Sequence, residues 1–225
     1  MAFNFSPKVV TDGLVLYLDA ANSKSIVSGS TTWTDLSRSN NNGTLVNGPT
    51  FNSGSGGNIV FNGSNTSVNC GDTLSYQNSF TFNLVFKTTT STIHVLIGKY
   101  NGGGADFWVG TSSGKLAFSF GSPSKITLIS TMNINDGNWQ IATAVFNRSL
   151  NQTLIYINGT QNSSTNSIPT TIQEPVGNLR LATFGDYGGP YFLSGSIAQF
   201  QIYNRALSSQ EVLQNYNATK TRFGL

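Results

Sequence analysis

The stretch Ser79-Phe80-Thr81-Phe82-Asn83-Leu84-Val85-Phe86-Lys87-Thr88 sets the period of the whole chain. Phe80, Phe82, Leu84 and Phe86 share one side of an extended backbone, and Thr81, Asn83 and Lys87 share the other. That is the period of two of a strand with one buried side; a helix would scatter these residues around its axis.

Outward from this strand, short alternating runs recur between turn clusters, the pattern of antiparallel sandwiches and barrels. Upstream, Leu14 to Leu18 and Ile59 to Phe61 read as strands, and Gly43 to Gly57 reads as a Gly-, Ser- and Asn-rich loop with one short apolar run. Downstream, Ile93 to Ile97, Asp106 to Gly110 and Leu116 to Phe120 form a meander punctuated by Gly102-Gly103-Gly104 and Ser113-Gly114. Trp139 to Phe146 and Thr153 to Asn158 pair as a hairpin, after which Asn158-Gly159 supplies a turn tolerant of positive φ. Gln161 to Pro175, polar and interrupted by Pro169 and Pro175, reads as a mobile surface loop. Ser196 to Tyr203 alternates once more. The period then changes: Ser208-Ser209-Gln210-Glu211 is a capping box, Leu207 can staple to Val212, and a short helix from about Ser209 to Asn217 is expected.

Composition agrees with one large β core. The 225 residues are 38% hydrophobic and include 15 Phe, and sandwiches of this length often form a single domain. The expected division is one domain over residues 12–225, preceded by residues 1–11 as an N-terminal arm or first strand. Phe3, Phe5 and Pro7 make that arm apolar enough to dock on a neighbour. Charged residues are only 9%, against about 25% in ordinary domains, so the polar surface is mainly Asn, Ser, Thr and Gly. Such a surface suits packing beside copies of itself or binding neutral sugars. The net charge of +3 rests on 12 scattered Lys and Arg, with no basic run to track phosphates, so nucleic acid is not an expected partner. No apolar stretch approaches the roughly 20 residues of a membrane helix and no apolar leader opens the chain. A membrane partner is therefore not expected, and folding in a cytoplasm is. The single cysteine, Cys70, reads as a small buried hydrophobe.

Several motifs in order resemble laminin-G-like domains of the concanavalin A-like lectin and glucanase type. They are Ser79 to Phe86, then Trp139-Gln140-Ile141-Ala142, then Leu154-Ile155-Tyr156-Ile157-Asn158-Gly159, and finally Gly195-Ser196-Ile197-Ala198-Gln199-Phe200-Gln201-Ile202-Tyr203-Asn204-Arg205-Ala206-Leu207-Ser208. The resemblance implies an all-β, two-sheet antiparallel jelly-roll sandwich with one short C-terminal helix. In it Trp139 anchors the sandwich core and the terminal strand pairs near Leu14 to Leu18. The opening Asp12 to Asn22, with Thr32-Trp33-Thr34-Asp35-Leu36-Ser37 and Asn42-Gly43-Thr44-Leu45, is similar to laminin-G-like structural proteins of tailed bacteriophage virions. That narrower resemblance implies a non-enzymatic capsid decoration or fibre module on the virion surface, made in the host cytoplasm. Its implied partners are the major capsid protein or other virion proteins, further copies of itself and host surface glycans. The alternative reading is a carbohydrate-binding lectin or adhesin for host attachment. Related domains often place Asp before the segment matching Phe200 to Tyr203 to support calcium, where this chain has Ala198 and Gln199. The loop Asn62-Gly63-Ser64-Asn65-Thr66-Ser67 also lacks Asp. Calcium prefers several oxygens including carboxylates, so no metal and no other cofactor is expected.

Catalytic patterns are weak. Glycosidases need two carboxylates about 5 to 9.5 Å apart. Among the nine carboxylates here, Glu211 is explained by its cap, Glu174 precedes Pro175 in a loop, and Asp12, Asp35, Asp72 and Asp136 sit in turn-like contexts. His94, the only histidine, lies in an apolar run with no nucleophile motif beside it and reads as packing. A zinc site would need more ligands than one His and one Cys. Gly102-Gly103-Gly104 lacks the Lys and helix of a phosphate loop and reads as a hairpin tip. No catalytic residue is assigned. The carbohydrate-binding candidates are Tyr100, Asp106 and Trp108 around the first Gly cluster, and Asp186, Tyr187 and Tyr191 around Gly188-Gly189. Sugars stack apolar faces on aromatic rings and hydrogen-bond to Asp and Asn. The plainer reading of Trp108 and Tyr191, packing into core or rim, is the preferred one because aromatics dominate cores.

Overall fold

The computed structural model describes residues 7–75, 78–100, 106–120, 126–168, 173–187 and 191–225. In chain order its strands are β1 (Leu14–Asp19), β2 (Thr32–Trp33), β3 (Gly43–Val46), β4 (Thr50–Asn52), β5 (Asn58–Asn62) and β6 (Ser67–Asn69). The middle of the chain gives β7 (Phe80–Lys87), β8 (His94–Lys99), β9 (Phe107–Ser112), β10 (Lys115–Phe120) and β11 (Ile126–Asn133). Then come β12 (Gln140–Asn147), β13 (Gln152–Ile157), β14 (Thr160–Thr165), β15 (Leu179–Leu181) and β16 (Ser194–Tyr203), followed by the helix α1 (Ser209–Thr219). They build two antiparallel sheets. The first runs β14-β13-β12-β7-β16-β5-β4, with β1 also paired to β16; the second runs β11-β10-β9-β8-β15-β6-β3-β2. The fold is the expected all-β two-sheet sandwich with one short C-terminal helix.

Alternation drives the two sheets together. The first contributes Phe80, Phe82, Phe86, Phe146 and Phe200, the second Phe107, Phe118 and Phe120, and all join one buried cluster. Phe80 stacks on Phe146 at 4.8 Å and meets Phe107 edge-on at 5.6 Å. Phe107 in turn meets Phe118 at 5.4 Å, so rings run continuously from one layer to the other. Each such side chain contributes about 1.5–3 kcal/mol on leaving water. As expected, the last strand closes on the first: Leu18 opposes Phe200 and Leu14 opposes Tyr203. Cys70 is buried in the same core, and burial pushes its thiol up to about 12.

Several expectations need correction. The strand β7 has two buried sides, because α1 and the chain after it cover the outer face of its sheet. There Val85 packs with Trp139, Ile141 and Ala198 beneath Tyr216, Phe223 and Leu225. The polar residues of that face are satisfied in place: Asn83 Nδ2 donates to Gln201 Oε1 at 2.7 Å and Thr143 Oγ1 to Asn83 Oδ1 at 2.7 Å. Trp139 therefore sits outside the sandwich core, its Nε1 donating to Ser55 Oγ, and Trp33 is the tryptophan in the central cluster. The segment Gly43 to Gly57 holds β3 and β4 rather than a loop. Gln161 to Pro175 begins as β14, because Asn158 and Gly159 both take positive φ (50° and 75°) and fold the chain back along β13.

The helix starts where its capping box places it, with Ser208 Oγ and the Glu211 carboxylate each serving the other's backbone N–H. It ends at Thr219, two residues beyond the expected end. Leu207 and Val212 share one apolar cluster with Val10. Val10 N donates to Asn215 Oδ1, and Gln214 Nε2 donates to Lys8 O, so this part of the N-terminal segment lies against α1. Phe3 and Phe5 fall outside the described residues.

Candidate functional site

On β9, Phe107 and Val109 point into the core, so Trp108 between them points outward from the second sheet. Its cross-strand neighbours are small: Gly98 on β8 and Ser119 on β10. A register shift between Val95 and Ile97 sends Leu96 and Ile97 both inward and leaves Val95 on the Trp108 side. The outer face is thus a shallow floor with one large ring standing on it.

The segment after β15 folds over that floor. Ala182 takes a positive φ of 66°, its N–H bonded to Leu96 O, and turns the chain outward. The absence of a side chain at Gly98 makes room for the next two residues of that segment: a Cβ there would lie 2.8 Å from Thr183 O and 3.0 Å from the Phe184 Cα. Phe184 is thereby pressed beside Trp108. Its ring stacks on Tyr100 at 4.9 Å and meets Tyr191 edge-on at 5.9 Å. The segment is tied at both ends, by Asp186 N to Tyr100 O (2.8 Å) and Val95 N to Tyr191 O (2.9 Å). Ile93, Val95, Trp108, Phe184 and Tyr191 then line a recess of about 180 Å³. Trp108, Phe184 and Tyr191 are each partly exposed, and Ile93 is largely so.

Of the sequence-derived candidates, Trp108 and Tyr191 meet in this recess and Tyr100 supports it through Phe184. Asp186 braces rather than lines it. Its Oδ1 accepts from Arg180 Nε at 2.7 Å and its Oδ2 from Asn178 N at 2.8 Å. Burial alone would raise this carboxyl, but the Asn178 N–H and the Arg180 guanidinium outweigh that and hold it below the usual range. Asp106, half-buried, precedes β9 and is not among the described residues lining the recess. The side chain of Tyr187 and the clusters Gly102-Gly103-Gly104 and Gly188-Gly189 fall outside the described residues. Sequence reasoning missed Phe184 and Ile93. The available signal was Gly185, which fixes a turn beside Phe184: a Cβ there would lie 2.2 Å from Tyr100 N.

Several of the remaining ionisable groups have structural partners. Asp35 accepts the N–H groups of Tyr17, Ser37 and Asn41, and Asp136 accepts from Asn138, both as the turn reading expects. Asp72 departs from it. It pairs at 2.6 Å with Lys99 Nζ, whose side chain is 2% exposed, while Glu174 lies 3.7 Å from the same nitrogen. Arg205 holds Glu211 at 2.6 Å and Asp12 at 2.8 Å. His94 Nδ1 accepts from Ser194 N at 3.2 Å, and partial burial lowers the imidazole's proton affinity. The positions where the resemblance would place calcium carry no carboxylate. Asn62 Oδ1 already accepts from the N–H groups of Ser64, Asn65 and Thr66 and from Thr66 Oγ1, and Gln199 Nε2 donates to the Tyr17 hydroxyl. Among the described residues no group of three or more His, Cys, Asp or Glu side chains could hold a metal ion.

The fold has counterparts among known proteins. Solved structures of similar fold include the binding domain of Paraclostridial Mosquitocidal Protein 1, with TM-score 0.74 and 19% identity over 92% of this chain and 52% of that one. The botulinum neurotoxin type G receptor-binding domain gives 0.66 and 17% over 91% and 51%. Trypanosoma rangeli sialidase in complex with sialic acid gives 0.70 and 16% over 95% and 34%. The likeness at these identities is one of fold, and the chain spans about half the length of the toxin domains and about a third of the sialidase. Curated proteins gave no match. A laminin G-type family model, described as the concanavalin A-like lectin/glucanases superfamily, matches residues 62–213, and with two thirds of its length inside that match the chain belongs to this superfamily.

Proposed function

We propose that this chain is a non-enzymatic carbohydrate-binding module of the lectin or adhesin kind, and that its site is the recess formed by Trp108, Phe184 and Tyr191. The observation that carries the reading is the gathering of three part-exposed aromatic side chains, from β9 and from the segment between β15 and β16, around one concavity. Rigid aromatic surfaces held by a scaffold are what a sugar's apolar face needs, and a binding pocket is expected to be apolar with a few oriented polar groups. Similarity in fold to toxin binding domains and to a sialidase bound to sialic acid supports a sugar-facing role. Binding without bond cleavage is supported by the described lining, which is apolar and aromatic and offers no opposed carboxylates for acid and nucleophile.

The setting we propose is a virion surface, where the module contacts host glycans and packs beside capsid or fibre proteins and its own copies. The similarity of Asp12 to Asn22 and Thr32 to Ser37 to phage structural proteins supports it, together with the sparsely charged exterior. Immunogold labelling of purified particles tests this setting: label on the particle supports it, and its absence from particles of a host producing the protein removes it. Binding itself is tested on a glycan array with the chain displayed multivalently, so that avidity reveals weak sites. The wild type is expected to retain a set of glycans that Trp108→Ala and Tyr191→Ala both lose. Equal retention by all three proteins would move the site elsewhere.

A further inference from the structure

Resting on that reading, we infer that the recess selects a single uncharged sugar ring, and that acidic sugars such as sialic acid are not its ligands. Two independent features of the site lead there.

The first is charge. An acidic sugar needs a cation or a set of oriented donors at the site. The described lining supplies Ile93, Val95, Trp108, Phe184 and Tyr191, none of them cationic. Arg180, which stands opposite Gly98 on β15, is engaged with Asp186 at 2.7 Å, so the pair adds no net charge. Asp106, two residues before Trp108, brings a carboxylate and not a cation. The neighbouring sequence Asn101-Gly102-Gly103-Gly104-Ala105 and Gly188-Gly189-Pro190 holds no ionisable side chain. Lys99, although on the adjoining strand, turns to the opposite side of the sheet, where Asp72 holds it. An anion entering here would lose its hydration without a counter-charge, whereas the apolar face of a neutral pyranose would exchange water for aromatic carbon.

The second is size. The recess of about 180 Å³ falls short of the roughly 300–1,000 Å³ of sites that enclose drug-sized ligands. It accommodates one ring, with further sugars of a chain projecting to solvent. Affinity should therefore reside in one residue of the glycan and change little with chain length.

The experiment takes an array of neutral and acidic glycans, followed by isothermal titration of the best neutral hit as its methyl monosaccharide, as a di- and a trisaccharide, and in sialylated form. Titrations are run at 0.05 and 0.5 M NaCl. The expected result is binding of neutral glycans that varies less than threefold with salt and less than threefold from mono- to trisaccharide, is not improved by sialylation, and falls at least tenfold in Trp108→Ala. A preference for sialylated forms that fades in high salt overturns the neutral assignment and leaves the lectin reading intact. A gain of tenfold or more for each added ring overturns the one-ring assignment in the same way. No binding to any glycan on the array overturns the lectin reading itself, and this inference with it.

Discussion

Gly98 is the residue on which the recess turns. Any side chain there meets the backbone of Thr183 and Phe184 at 2.8–3.0 Å, and backbone cannot swing aside as a side-chain tip can. Gly98→Ala is expected to displace Phe184 and cost at least tenfold in glycan affinity while the far-ultraviolet circular dichroism stays that of the wild type. Lys99, its neighbour, separates packing from charge. Its partner Asp72 is largely exposed and stays hydrated without it, so the buried stem matters more than the ammonium. Lys99→Met is expected to cost less than about 1.5 kcal/mol and Lys99→Ala about 2–3 kcal/mol, read by urea denaturation. Glu211 carries the acid sensitivity. The hydrogen bond from Arg205, aided by Ser208 and opposed by burial, lowers its carboxyl from 4.5 to about 2. A depressed folded value gives stability that is present above 4.5 and lost as pH falls toward 2. Solvent screens this partly exposed pair, so Glu211→Gln is expected to cost about 1 kcal/mol at neutral pH. The same substitution should flatten the stability profile between pH 5 and 2, which acid titration followed by tryptophan fluorescence checks.

At the scale of elements, strands with large alternating side chains were legible and strands without them were not. The Phe80 to Phe86 face and the Phe200 and Ile202 positions could be read because a two-residue period of big apolar groups has few alternative explanations; Ala198, which the same alternation puts beside them, lies on the outer face because the register shifts between Ile197 and Gln199. β14, Thr-Gln-Asn-Ser-Ser-Thr, contains no large apolar residue; it is a strand because the Asn158-Gly159 turn lays it along β13. β11 reads poorly because its Ile129 and Met132 are exposed at a sheet edge, where burial imposes no pattern. The misplacement of Trp139 has a related cause: sequence cannot say which side of a sheet a terminal segment will cover. Here the turn Lys220–Phe223 places Phe223 5.0 Å from Trp139, and Arg222 ties the end of the chain to Asp19 at 2.6 Å and to Gly57 O at 2.8 Å. Removing residues 221–225 is expected to uncover Trp139, shift tryptophan emission to the red and lower stability by about 2–4 kcal/mol through lost aromatic burial. Unchanged emission would show that the cover is not what keeps Trp139 dry.

For the whole molecule, the Phe-rich interior settled the architecture, while the site was legible only in part. Trp108 and Tyr191 could be singled out as aromatics beside glycine clusters, yet nothing in the sequence says that β9 and the segment before β16 meet, since that depends on β15 pairing with β8. Asp186 reads in the sequence as a sugar ligand, and the bond it accepts from Arg180 could not be read, because that partner lies six residues away across a turn that sequence does not reveal. The result is a sandwich with a sparsely charged exterior and an aromatic hollow on a sheet face. The chain has three tryptophans, and they report on three places: Trp33 on the core, Trp139 on the C-terminal cover, Trp108 on the hollow. Following their indole N–H signals by ¹H–¹⁵N correlation spectroscopy, assigned by single Trp→Phe variants, during titration with an array-selected neutral glycan is the most direct measurement. The Trp108 signal should move in proportion to saturation while those of Trp33 and Trp139 stay fixed; a bound glycan that leaves Trp108 unmoved would contradict the account.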